Sequence, residues 1–218
     1  MANSVTFTKA LTAASATNIA TSQAAVAGTP LTLNGSAVTA GVATLDTQRR
    51  VLITSTSATE TAVITIFGTN QQGTTISETV TFSGSSTTLV SNLDYLTVTK
   101  IVPSGTIAGS LSAGTNTIGS SPWVSMNYQG MSPMNVSAGV ELVSGSGTYS
   151  VEYTYDDPNN LASGVTFPFP WTNSSPGALV TATATKDGLF NFPFIAMRLT
   201  ITVGTGTFRA YFLQAGIG

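Results

Sequence analysis

Ala62-Val63-Ile64-Thr65-Ile66-Phe67-Gly68 and Ile76-Ser77-Glu78-Thr79-Val80-Thr81-Phe82 are two β-branched runs joined through Asn70-Gln71-Gln72-Gly73. A polar, glycine-containing turn between two such runs reads as a strand, a hairpin loop and a returning strand. The same grammar continues outward. Val51-Leu52-Ile53-Thr54 precedes the pair, Tyr95 to Val102 follows it and stops at Pro103, and Ile107 to Ile118 is a further, weaker strand. No segment carries an apolar stripe of helical period. Strands at this spacing, separated by Gly, Asn and Pro, predict an all-β chain: one or two antiparallel β-sandwich or jelly-roll-like domains with little helix.

Residues before this region are nearly uncharged, with Lys9 alone preceding Asp46. Leu11 to Ala27 mixes Ala with Thr and Ser, which weaken any helix. Residues 1–28 therefore read as an extended N-terminal arm with short strands, the alternative for residues 1–20 being a disordered tail. Gly119-Ser120-Ser121-Pro122 reads as a linker, because composition shifts there: both tryptophans (Trp123 and Trp171), five of the six tyrosines and seven of the nine prolines lie at or beyond Pro122. The expected organisation is an arm over 1–28, a β-sandwich domain over 29–119, and a second one over 122–218 with its own aromatic core.

In the second half, Gly145-Ser146-Gly147-Thr148-Tyr149 and Gly204-Thr205-Gly206-Thr207-Phe208 each sit between apolar alternations. Val140, Leu142, Tyr149, Val151 and Tyr153 share one parity, and so do Leu199, Ile201 and Val203 with Phe208, Ala210 and Phe212 once a two-residue turn is allowed. Alternate residues of a strand face one side, so these should meet the core. The pattern predicts hairpins turning at Ser146-Gly147 and Thr205-Gly206.

Composition removes most chemistries. The chain has 218 residues, no histidine, no cysteine and 7% charged residues. Ser-His-Asp and Cys-His catalysis are excluded, as are most zinc and copper sites. Seven basic against nine acidic side chains leave no cationic footprint for nucleic acid. No apolar run is long enough to span a membrane, and the N-terminus lacks the charged and apolar regions of a signal peptide. No Walker loop, dinucleotide fingerprint or Gly-x-Ser-x-Gly elbow occurs. The expectation is a protein that is not an enzyme and carries no cofactor or metal.

Four features still need a reading. The hairpin register places Glu141 across from Glu152, and paired carboxylates about 5 Å apart serve retaining glycosidases. The alternative is that both are solvated, or bridged by Arg198 or Arg209. Asp156-Asp157-Pro158-Asn159-Asn160 gathers oxygen ligands of the kind calcium prefers, but in no ordered ligand spacing, and reads as a plain loop. Trp123, Tyr128, Phe169 and Trp171 are candidate interaction residues, an aromatic platform for a sugar or a protein partner unless they pack in the core. Glu78 shares the parity of Ile76, Val80 and Phe82, so it needs either a bulge or a cation, with Arg49 and Arg50 the candidate partners.

Several stretches together resemble a group of tailed-bacteriophage structural (virion) proteins. They are Gly41-Val42-Ala43-Thr44-Leu45-Asp46, Arg49-Arg50-Val51 with Ile53-Thr54-Ser55, Phe67-Gly68-Thr69-Asn70 and Ser77-Glu78-Thr79-Val80. Val151 to Asp157, Ala182 to Gly188, Phe192-Pro193 and Ala196 to Thr200 have the same character. The resemblance covers most of residues 30–218 and brings no catalytic residue with it. It implies a virion component assembled in the host cytoplasm: a head decoration (cement) protein, or a neck or tail accessory. The expected function is capsid binding and stabilisation through the arm and the β-domains, as a homotrimer on the major capsid protein or another virion protein, with no nucleic-acid or membrane partner. The alternative is a tail, neck or fibre module that binds host-surface carbohydrate or receptor.

Overall fold

The computed structural model describes residues 3–127, 135–158, 171–172 and 179–214, with backbone only at 3–4 and 171–172. The chain is all-β, and its strands pair antiparallel in two sheets. In chain order the strands are β1 (Asn3–Ala10), β2 (Ser15–Gln23), β3 (Val38–Thr39), β4 (Val42–Ser55), β5 (Val63–Thr69), β6 (Thr75–Thr81), β7 (Thr88–Ser104) and β8 (Leu111–Ser120). There follow β9 (Val124–Ser125), β10 (Val136–Ser144), β11 (Gly147–Thr154), β12 (Trp171–Thr172), β13 (Lys186–Phe190), β14 (Ala196–Gly204) and β15 (Thr207–Gln214). Two compact units form, one from residues 13–119 and one from residues 1–12 with 120–218.

In the 13–119 unit the strands run β8-β4-β7-β5-β6, with β2 on β8 and β3 on β4. The decisive hairpin is present: β5 and β6 pair from Val63↔Thr81 to Thr69↔Thr75. Asn70 closes its loop by accepting from the amides of Gln72 and Thr74 at 3.0 and 2.9 Å, and Gly73 takes a positive φ of 80°. An Asn side chain mimics a backbone turn, and glycine takes a positive φ without the clash a Cβ would make. Ile64 and Ile66 alternate inward from β5 and join Ile19, Val51, Ile53 and Ile101 in one buried cluster.

The other unit holds a four-stranded sheet ordered β1-β15-β10-β13, and β12-β11-β14 with β9 beside β14. Its core draws on both sets: Val136, Val140, Phe208 and Phe212 from the first, Tyr149, Val151, Leu199 and Ile201 from the second. The expected aromatic core of the second half is there, built on Tyr149, Tyr153, Phe190, Phe194, Phe208 and Phe212.

Residues 1–28 do not stand apart as an arm. β1 is a full strand of the four-stranded sheet, where Phe7 packs edge-on against Phe212 at 5.3 Å, and β2 pairs with β8 in the other unit. The scarcity of charge that suggested an arm is equally what lets a strand enter a sheet without burying ions. The boundary between the two units falls between Gly119 and Ser120, where composition shifts, but this stretch is not an exposed linker. Ser120 and Ser121 are buried, and the Ser121 amide donates to the Leu199 carbonyl at 2.8 Å.

The two hairpins turning at Ser146-Gly147 and Thr205-Gly206 do not form. β10 pairs with β15 and β13, while β11 pairs with β14 and β12. Residues 136–154 run antiparallel to residues 196–214 as one long ribbon, from Val136↔Gln214 to Thr154↔Ala196. At its middle the ribbon bends from one sheet into the other. The register slips there, between Leu142 and Ser144 and again between Thr148 and Tyr149. Bulges and glycines are the devices by which paired strands turn a corner. Gly204 has φ 94°, and a Cβ on it would lie 2.4 Å from the Ser146 carbonyl oxygen. Gly204→Ala should therefore lower stability by about 2–3 kcal/mol, measured by urea unfolding. An effect within about 0.5 kcal/mol, the range of ordinary surface substitutions, would mean that the bend does not need this glycine.

Parity was still informative. Val140, Tyr149, Val151, Tyr153, Leu199, Ile201, Phe208, Ala210 and Phe212 are all buried, Leu142 is half-buried, and Val203, beside the bend, is exposed.

Candidate functional site

The ribbon separates the two glutamates that the hairpin would have joined. Glu141 lies opposite Arg209, and Glu152 lies opposite Arg198. The carboxylate pair of a retaining glycosidase is therefore not assembled from these residues, and each glutamate is bridged by an arginine.

The two ion pairs differ in setting. Arg198 Nε donates to Glu152 Oε2 at 2.8 Å, and the Thr200 hydroxyl donates to the same oxygen at 2.8 Å. Arg198 also reaches the Ser120 hydroxyl at 3.3 Å. Its guanidinium lies over the Trp123 ring, 4.6 Å from the centroid, a cation–π contact. Both charged side chains are largely shielded, at 8% and 14% exposure. Buried charges persist only when paired and hydrogen-bonded, and this network supplies both. The other pair, Arg209 with Glu141 at 3.2 Å, is 41% exposed on each side, so water screens it and it adds little to stability.

Trp123 is thus half-buried and engaged on Arg198 rather than standing as an open platform. In β12 the Trp171 backbone pairs with Tyr153 of β11. Tyr128 and Phe169 lie outside the described residues, as do Asn159 and Asn160 of the acidic loop. In that loop the Asp156 amide donates to Thr154 Oγ1 at 3.1 Å. Among the described residues no group of three or more Asp and Glu is placed to hold a metal ion.

In the 13–119 unit, Arg49 is fully buried on the core-facing parity of β4. It pairs with Asp46 at 3.1 Å and donates to the Asn116 carbonyl. Arg50 pairs with Asp94 at 3.7 Å. Neither arginine serves Glu78. That carboxylate instead accepts the backbone amides of Asn92 and Leu93, each at 2.9 Å. Amide donors satisfy a carboxylate as a cation would, and residue-type reasoning cannot see them.

Glu60 was not singled out by sequence at all, yet it is fully buried. Its carboxylate accepts from the Ser55 hydroxyl at 2.9 Å and from the amides of Thr61, Ala62, Ala108 and Gly109 at 3.1 Å each. Burial alone would push this carboxyl up. The Ser55 hydroxyl and the amides of Ala108, Ala62 and Gly109 outweigh burial and hold it below its ordinary value. One side chain thereby ties the 55–62 segment to the 107–110 segment.

No family model matches the chain, no curated protein matches it, and no solved structure matches it.

Proposed function

We propose that this chain is a non-catalytic structural protein of a virion, with β-sandwich or jelly-roll-like units, that binds and stabilises a capsid surface as a decoration or cement protein. The observation that carries this reading is how its charges are used. Each of the four arginines lies within 4 Å of a carboxylate, and Glu60 and Glu78 are held by backbone amides. Carboxylates committed to salt bridges and amide clusters brace segments of the fold rather than move protons. The resemblance of residues 30–218 to phage structural proteins supports the setting.

In this reading the chain assembles with other chains as a homotrimer, and its sheet edges support contact with a neighbour. β1 is an edge strand of the four-stranded sheet, and Lys9 is its single charge. An edge so lightly guarded is suited to lie along a neighbouring chain, because little ion desolvation opposes the contact. Sedimentation velocity on the intact chain should give three chain masses, and Thr6→Lys with Thr8→Lys should shift the species toward monomer. A monomer at every concentration up to about 1 mM, the weak end of association affinities, would remove the trimer from this reading.

A further inference from the structure

The outward face of the four-stranded sheet carries a feature that the assembly reading does not use. Tyr211 of β15 lies opposite Gly139 of β10 and is 38% exposed. Its hydroxyl donates to Glu141 Oε2 at 3.1 Å, two residues further along β10. A Cβ built on Gly139 would come to 4.0 Å from Tyr211 Cδ2. The ring therefore leans towards β10 beside the glycine, its hydroxyl anchored by Glu141, with Arg209 holding that carboxylate at 3.2 Å. On the far side of Gly139 stands the exposed side chain of Asp187, paired in register with Gly139 on β13.

We propose that Tyr211, Gly139, Glu141, Arg209 and Asp187 form a saccharide shelf that takes an uncharged, linear hexose polymer. A ring fixed in place, with a glycine beside it to keep side-chain bulk away, offers a flat apolar surface to the C–H face of a pyranose. The carboxylates and the guanidinium at its ends are matched to sugar hydroxyls, which both donate and accept. Glu141 and Arg209 offset each other and Asp187 leaves one negative charge, so the shelf disfavours an anionic ligand. The open, shallow sheet face suits the interior of a polymer rather than a buried single sugar. Tethering the hydroxyl to Glu141 reduces the freedom the ring would lose on binding. Binding at one shelf should be weak, in the range of about 0.1–10 mM, and gain strength only when several copies are presented together.

The test is an amide NMR titration of the full chain with cellohexaose, maltohexaose, laminarihexaose and mannohexaose. At least one should shift signals of Gly139, Asp187 and Tyr211 in a saturable way. Tyr211→Ala should weaken that binding at least tenfold, while Tyr211→Phe, which keeps the ring and loses the tether, should fall between. Unchanged amide signals elsewhere in β10 and β15 would show that both variants are folded. Four silent hexasaccharides overturn the proposal, and so does binding that persists in Tyr211→Ala. Loss of the Tyr211 signals into a self-associated species that Leu213→Asp disperses also overturns it, because the face would then belong to a protein contact.

Discussion

Glu60→Ala should destabilise the 13–119 unit by about 3–5 kcal/mol, because several amides lose their acceptor while still buried, at about 1–3 kcal/mol for each one left unsatisfied. The backbone amides of Ala62, Ala108 and Gly109 all donate to this carboxylate. Glu60→Gln keeps the volume but places an NH2 donor among N–H donors, and should cost about 2–3 kcal/mol. Hydrogen exchange read by mass spectrometry checks both, with faster exchange expected over residues 55–62 and 107–110 first. The sign with pH follows from the lowered folded-state pKa. The unfolded chain binds this proton more tightly than the folded chain does. The stabilisation is complete above the ordinary carboxylate range and is lost as pH falls through the folded value. Glu60→Gln should remove that part of the acid dependence. An unchanged acid profile in Glu60→Gln would show that this carboxylate is not the group responsible.

The second large effect is expected at Arg198. Removing it leaves the Glu152 carboxylate, 14% exposed, with the Thr200 hydroxyl as its side-chain donor, and strips the cation from Trp123. Breaking a shielded pair from one side costs about 3–5 kcal/mol. Arg198→Ala should show that loss in urea unfolding followed by tryptophan emission, since both tryptophans lie in the unit containing this pair. Adding Glu152→Gln should recover part of it, because the stranded charge is then gone. Equal losses in the single and double variants would mean that the packing of the Arg198 stem, not its charge, is what matters.

These effects also mark where the sequence was legible. The β5–β6 hairpin was readable because its signals are local: two alternating runs and an Asn-to-Gly loop. In the second half, parity found the inward faces of β10, β11, β14 and β15 but could not choose their partners. A two-residue link between strands of matching parity serves a hairpin in one sheet or a crossing between two sheets equally well. The charges did contain the answer. Glu141 and Glu152 are eleven residues apart, as are Arg198 and Arg209, so antiparallel pairing of 136–154 with 196–214 brings each glutamate to an arginine. The hairpin register instead opposed like charges, which is unfavourable.

Glu60 was invisible for a different reason. It sits in the polar run Thr59-Glu60-Thr61, which reads as an ordinary loop, and its partners are mostly backbone amides, two of them nearly fifty residues away. Amides have no residue signature. The same holds for Glu78, whose partners were sought among arginines because only side chains are visible in sequence. Tyr211 and Gly139 meet only through the β10–β15 register, so their shelf could not be read before the ribbon was known.

The measurement that bears most directly on the proposed virion role is the location of the tagged chain on tailed-bacteriophage particles purified from cells that produce it. Gold labelling of a C-terminal tag, viewed by electron microscopy, should place the protein in a regular array over the head surface, with many copies per particle. Intact particles that lack the chain altogether, although infected cells make it in quantity, would contradict the account.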